Sequence, residues 1–143
     1  MPEHAAVLFA NDAFYLAFAN RDYDAMEAIW AREAPVTCIH PGWDALAERD
    51  EVMESWESIL GNPTAINITC RNATVRVFGD FAYVICHEIL DQGYLVATNL
   101  FVQEDGQWKI IHHQAGAAPP PEETEDEPGS LPEPGVSGEP VPV

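Results

Sequence analysis

Apolar positions follow helical spacing in the first sixty residues and strand spacing in the next fifty. Residues 4–20 place Val7, Phe14 and Phe18 on one face with Ala10 and Ala17 beside them, which predicts an amphipathic helix. In NRDYDAMEAIW, Asp22 and Asp24 are candidate N-terminal caps, and Met26, Ile29 and Trp30 have the i, i+3, i+4 spacing of a short second helix that ends before Pro35. Residues 50–60 put Val52, Trp56, Ile59 and Leu60 on one side, with Asp50 as cap and Gly61 as stop, predicting a third helix. From residue 65 the period is two. Segments 65–78, 81–91, 94–104 and 107–115 are rich in β-branched and aromatic residues and are parted by Gly-Asp, Asp-Gln-Gly and Glu-Asp-Gly turns, so an antiparallel meander is expected. The apolar parity of the first segment shifts between Cys70 and Val75, which predicts a bulge near residues 71–73. PVTCIHP at 35–41 predicts a short strand pairing at the sheet edge. Helices first and strands afterwards make the fold class α+β.

Composition adds limits to this picture. The chain has 143 residues, room for one ordinary domain. After Gly116 the sequence holds eight of the twelve prolines, seven acids and no base, so residues 118–143 are expected to form a disordered, solvated acidic tail beyond a domain at 1–117. With those seven acids removed from the net charge of −18, residues 1–116 still carry −11. Such a field repels nucleic acid and anionic membranes, and neither is an expected partner. No basic leader or long apolar run is present in the 143 residues, and the odd, dispersed Cys38, Cys70 and Cys86 suit reduced core thiols; both point to the cytoplasm.

The order of elements and two stretches of sequence carry a resemblance. FYLAFANRDYDAMEAIWAREAPVTCIHPGW resembles the opening of SnoaL-like and ketosteroid-isomerase-like domains. EDGQWKIIHHQAGAAP resembles their closing strand and is similar to that of the calcium/calmodulin-dependent kinase association domain. The resemblance to this NTF2-like superfamily spans residues 4–117. It implies a cone in which three N-terminal helices and a curved sheet enclose an apolar pocket, with the outer sheet face free for dimerisation. FAYVICHEIL and YLVATNLFV, apolar at nearly every position, independently call for cover on both faces.

The same resemblance selects candidate residues. In ketosteroid isomerases a general-base aspartate precedes a proline at the end of the short strand, and His40 before Pro41 matches that position. Histidine there could move a proton near neutral pH, or it could bond a backbone group and shape the rim. The isomerase's tyrosine oxyanion donor aligns with Phe14, which has no hydroxyl, while Tyr15 is expected to point about 100° away; Phe14 and Tyr15 are both candidate ligand-binding residues of the pocket. On the last strand Trp108, Ile110, His112 and Gln114 share a face, so His112 is expected in the pocket, with Gln114 beside it, and His113 at the interface, unless a bulge reverses them. Asn99 is preferred to Thr98 as an inward polar group. Trp43 suits the pocket mouth and Trp56 its lining or the ordinary core. One of His87 and Glu88 should face inward, a carboxylate there needing Arg71 or Arg76.

No ligand spacing suggests a metal site, and no phosphate-loop, dinucleotide or Ser-His-Asp signature implies a cofactor. Two readings follow. One is a pocket protein for a small apolar molecule, with the chemistry of a proton-transfer isomerase or lyase such as a dehydratase, His40 as base and His112 or Asn99 polarising a carbonyl. The other is a non-catalytic dimerisation or assembly module. Deleting 118–143 should move the thermal midpoint by no more than about a degree or two; a cooperative loss of structure in a melt of the truncated chain would overturn the boundary.

Overall fold

The computed structural model describes residues 2–64 and 66–121. Helix α1 (Pro2–Ala19) and helix α2 (Tyr23–Ile29) come first, followed by strand β1 (Thr37–Ile39) and helix α3 (Arg49–Leu60). Strands β2 (Thr69–Phe78), β3 (Phe81–Leu90), β4 (Gly93–Glu104) and β5 (Gln107–Ala117) complete the domain. The sheet order is β1-β5-β4-β3-β2; the four long strands form the expected antiparallel meander, and β1 lies parallel to β5 at one edge. This is the α+β architecture expected from the order of helices and strands, with the helices packed on a mostly antiparallel sheet. The expected tail lies, from residue 122, outside the described residues.

Each helix forms as its pattern dictates. Val7, Asn11, Phe14, Tyr15 and Phe18 are all buried on α1, a stripe wide enough to hold two neighbours in sequence. Asp22 caps α2 by accepting the Ala25 N–H. Helix α3 begins one residue before the expected cap: Glu48 occupies the N-cap without a side-chain bond, and Asp50 falls in the first turn, where its charge complements the helix dipole. Gly61 ends it.

Two bulges shape the sheet. The first, between Arg71 and Thr74, stands where the parity shift placed it, and Asn72 takes a left-handed φ of 59° there. The second was not expected on sequence alone. Leu100 pairs with His112 but Phe101 pairs with Ile110, so Ile111 is an extra residue in β5. It reverses the inward parity of β5: Trp108 and Ile110 face the core before it, His113 and Ala115 after it.

Helices and sheet are joined by polar ties. Arg49 on α3 donates to the backbone carbonyls of Ala31 and Glu27. Glu104 at the end of β4 accepts the backbone N–H groups of Arg32, Glu33 and Ala34 at 2.8–3.0 Å. Partial burial works against its charge, yet these three donors and Lys109 hold its carboxyl below the usual range. Its stabilisation is therefore complete above the unfolded carboxyl value, near pH 4.5, and is lost as pH falls through the lower folded value. With solvent exposure discounted, Glu104→Ala should cost about 1 kcal/mol, a drop of roughly 4 °C in a neutral-pH melt. The gap between variant and wild type should close in acid.

Candidate functional site

Between α1, α3, β1 and the concave side of the sheet lies a cavity of about 390 Å³. Its walls are mostly rings. Phe14 and Trp56 meet edge to face at 5.5 Å, and the His40 ring sits 4.8 Å from both Trp43 and Trp56. Trp43, in the turn after Pro41 and half exposed, stands at the rim as expected for a mouth residue. Trp56 lines the cavity from the buried stripe of α3.

His40 follows β1 and is buried against α3. Its Nε2 lies 2.8 Å from Ser55 Oγ, and Ser55 Oγ–H donates in turn to the Val52 carbonyl at 2.7 Å. Because the serine hydrogen is committed, Nε2 carries the imidazole proton and Nδ1 keeps its lone pair. Burial pushes His40 down to about 4, so the ring is neutral at pH 7.

A second histidine shares the wall, and it is the one expected elsewhere. The β5 bulge turns His113 inward and His112 outward, reversing the faces assigned from strand alternation. His112 instead pairs with Thr37 Oγ1 on β1, partly exposed, and Gln114 is exposed, so neither lines the cavity. His113 Nδ1 donates to Asn99 Oδ1 at 2.6 Å, across the strand pair that the bulge creates. Asn99 is buried and inward, with Thr98 turned away, but it does not line the cavity as expected of a ligand-binding group: its amide donates to Asn11 Oδ1 at 2.8 Å and its oxygen is taken by His113. His113 thus holds its proton on Nδ1 and presents Nε2 as an acceptor. Burial first, then His40 and His112, push it down to about 3.

The polar end of the cavity is completed by Tyr15 and Glu88. Tyr15 lines it together with Phe14, against the 100° argument, since the buried stripe of α1 spans both. Its hydroxyl donates to Glu88 Oε2 at 2.6 Å and lies 3.3 Å from Cys86 Sγ. Of the pair His87 and Glu88, it is the carboxylate that faces inward, and its partner is this tyrosine rather than an arginine. Arg76 lies exposed on the sheet. Burial raises the Glu88 carboxyl, opposed by the Tyr15 bond, while burial and the nearby carboxyl raise the Tyr15 phenol. Sequence reasoning missed the site role of His113, though the consecutive doublets Ile110-Ile111 and His112-His113 break the two-residue period where the bulge lies. Cys38, Cys70 and Cys86 are free thiols, and burial pushes Cys38 up to about 12. Among the described residues no three His, Cys, Asp or Glu side chains gather as a metal would need. None of the described helices is long and apolar enough to cross a membrane.

A conical α+β fold around an aromatic cavity with buried histidines defines the class, NTF2-like. The profile of SnoaL-like domains matches residues 7–119, and the chain belongs to that family. A solved candidate dehydratase of the NTF2-like family from Streptomyces avermitilis is 32% identical, with 82% of this chain and 96% of that chain covered at a TM-score of 0.75. A candidate calcium/calmodulin-dependent protein kinase type II association domain from Thiobacillus denitrificans is also 32% identical, over 76% of this chain and 92% of that one, at a TM-score of 0.68. The F-box protein SKIP8 of Arabidopsis thaliana is 26% identical over 112 residues, which are 77% of this chain. The match spans about half the length of that curated relative.

The two depressed histidines make a test. Neither ring should titrate near 6.5 in a ring-proton NMR series, and nitrogen shifts should show hydrogen on Nε2 of His40 and on Nδ1 of His113. The unfolded chain takes up these protons first, so the stability they confer is full above about pH 6.5 and falls as pH descends toward the folded values. A midpoint near 6.5 for His113 would contradict its placement.

Proposed function

We propose that this chain is a small-molecule pocket protein whose neutral histidines move a proton on a bound, largely apolar ligand, the chemistry of an isomerase or a dehydratase. The observation that carries the reading is the pairing of His40 and His113 on one cavity wall. Each has one nitrogen tied inside the protein, by Ser55 and by Asn99, and each keeps a lone pair on the other. A base held in one tautomer by a second residue keeps its lone pair in a fixed direction, which serves proton transfer to a positioned ligand even though burial weakens both rings as bases. His40 keeps the role its place before Pro41 suggested; His113 joins it in place of His112. The likeness to a candidate dehydratase supports the same chemistry.

Native mass spectrometry of protein from its own host should find a co-purifying compound. Incubated with that compound in heavy water, wild-type protein should incorporate deuterium at carbon, whereas His113→Ala and His40→Ala should not. Incorporation unchanged in both variants would refute the proton-transfer role.

Self-association belongs to the same proposal, and it also supports the second reading, an assembly module. The outer sheet face exposes Phe81, Ile85, Tyr94 and Val96 on adjacent strands β3 and β4, a surface soluble monomers seldom leave bare. A homodimer through this face buries it. Because His113 points inward, the informative charge is at Ile85: Ile85→Asp should convert a dimer to a monomer in sedimentation while leaving the histidine NMR signals in place. A wild-type monomer at micromolar concentration would refute the dimer.

A further inference from the structure

The proton-transfer reading employs His40 and His113 and leaves Glu88 without a role. A carboxyl 2% exposed at the end of an aromatic cavity is costly to keep. Tyr15 satisfies one of its roughly four lone-pair sites, and His113 Nε2 lies 3.9 Å away. No lysine or arginine appears among the described residues lining the cavity.

We propose that the cavity takes a small organic amine in its ammonium form, with N–H groups directed to Glu88 and an apolar body lying against Phe14 and Trp56. The assignment rests on the pocket reading above and names the chemical class of its ligand. Hydrogen-bond accounting supports it. The Tyr15 hydrogen is spent on Glu88, that of His113 on Asn99 and that of His40 on Ser55, while the Trp56 indole N–H is buried with almost no exposed surface and without a partner. Apart from the buried Trp56 N–H, the polar groups of the wall therefore present acceptors, which suit a ligand that brings hydrogens. Aromatic faces attract a cation electrostatically, most strongly where water is excluded. The chain's net charge of −18 draws cations toward it and repels carboxylates and phosphates. The cavity volume suits a body of one or two rings.

Isothermal titration of the full chain with 4-phenylbutylamine, 4-phenylbutanol and 4-phenylbutanoate separates charge from shape, since the three share a skeleton. The amine should bind about tenfold or more tightly than the alcohol, and the carboxylate should not register. Glu88→Gln should erase the preference. An alcohol that binds as well as the amine overturns the amine assignment and leaves the pocket reading standing; no binding by any of the three at millimolar concentration overturns both. A preference retained in folded Glu88→Gln also overturns the assignment, because the acidic surface would then be its source. Should that variant fail to fold by circular dichroism, wild-type titration in ~0.5 M salt decides: a surface field is screened and its preference lost, whereas a buried pair persists.

Discussion

A buried primary amide has two hydrogens and two lone pairs to place, and at Asn99, on β4, the protein directs them to two other elements. One amide hydrogen goes to Asn11 on α1, the carbonyl oxygen accepts from His113 on β5, and the Tyr15 hydroxyl lies 3.4 Å from the same nitrogen. An unpaired group here would cost on the order of 1–3 kcal/mol. The first helix can therefore rest on the sheet in only one rotation without leaving a donor stranded. That rotation delivers Phe14 and Tyr15 together to the cavity, and the same amide fixes the His113 tautomer. Packing, register and the chemistry of the wall share one constraint.

His40 reaches an equivalent state by another route. It belongs to the turn after β1, and its anchor is a serine on α3 whose own hydrogen is held by the helix backbone. The two rings thus depend on different elements, α3 for one and the centre of the sheet for the other. Local opening of either region would release one histidine and leave the other in place.

Much of this was legible in the sequence. Helical stripes, turn residues and the parity shift at Cys70 located all eight elements and the bulge of β2, because each follows from a local pattern. His40, Trp43 and Trp56 stand at the cavity, the first where the family resemblance put it, whereas Asn99 faces inward as expected but is bonded to Asn11 and His113 and does not line the cavity. The faces of β5 were not, since strand alternation assumes an unbroken ladder and one inserted residue inverts everything after it. The angle of 100° between Phe14 and Tyr15 does not take Tyr15 out of the cavity, because the apolar stripe of α1 is itself that wide. The partner of Glu88 was sought among arginines by charge, whereas a phenol one helix away supplies the bond.

The ends of the sheet bear on how copies of the chain can meet. An open sheet invites growth by strand addition wherever a long, regular edge offers unpaired amides. Here one edge is β1, three residues long, too short to template another strand. At the other edge β2 is interrupted by its bulge, with Asn72 in the left-handed conformation and Arg71 and Arg76 exposed along it. Lateral polymerisation is obstructed at both margins. Were copies to pair through the apolar outer face as proposed, the blunted margins would let two stacked sheets close into an assembly of finite size instead of lengthening into a fibre.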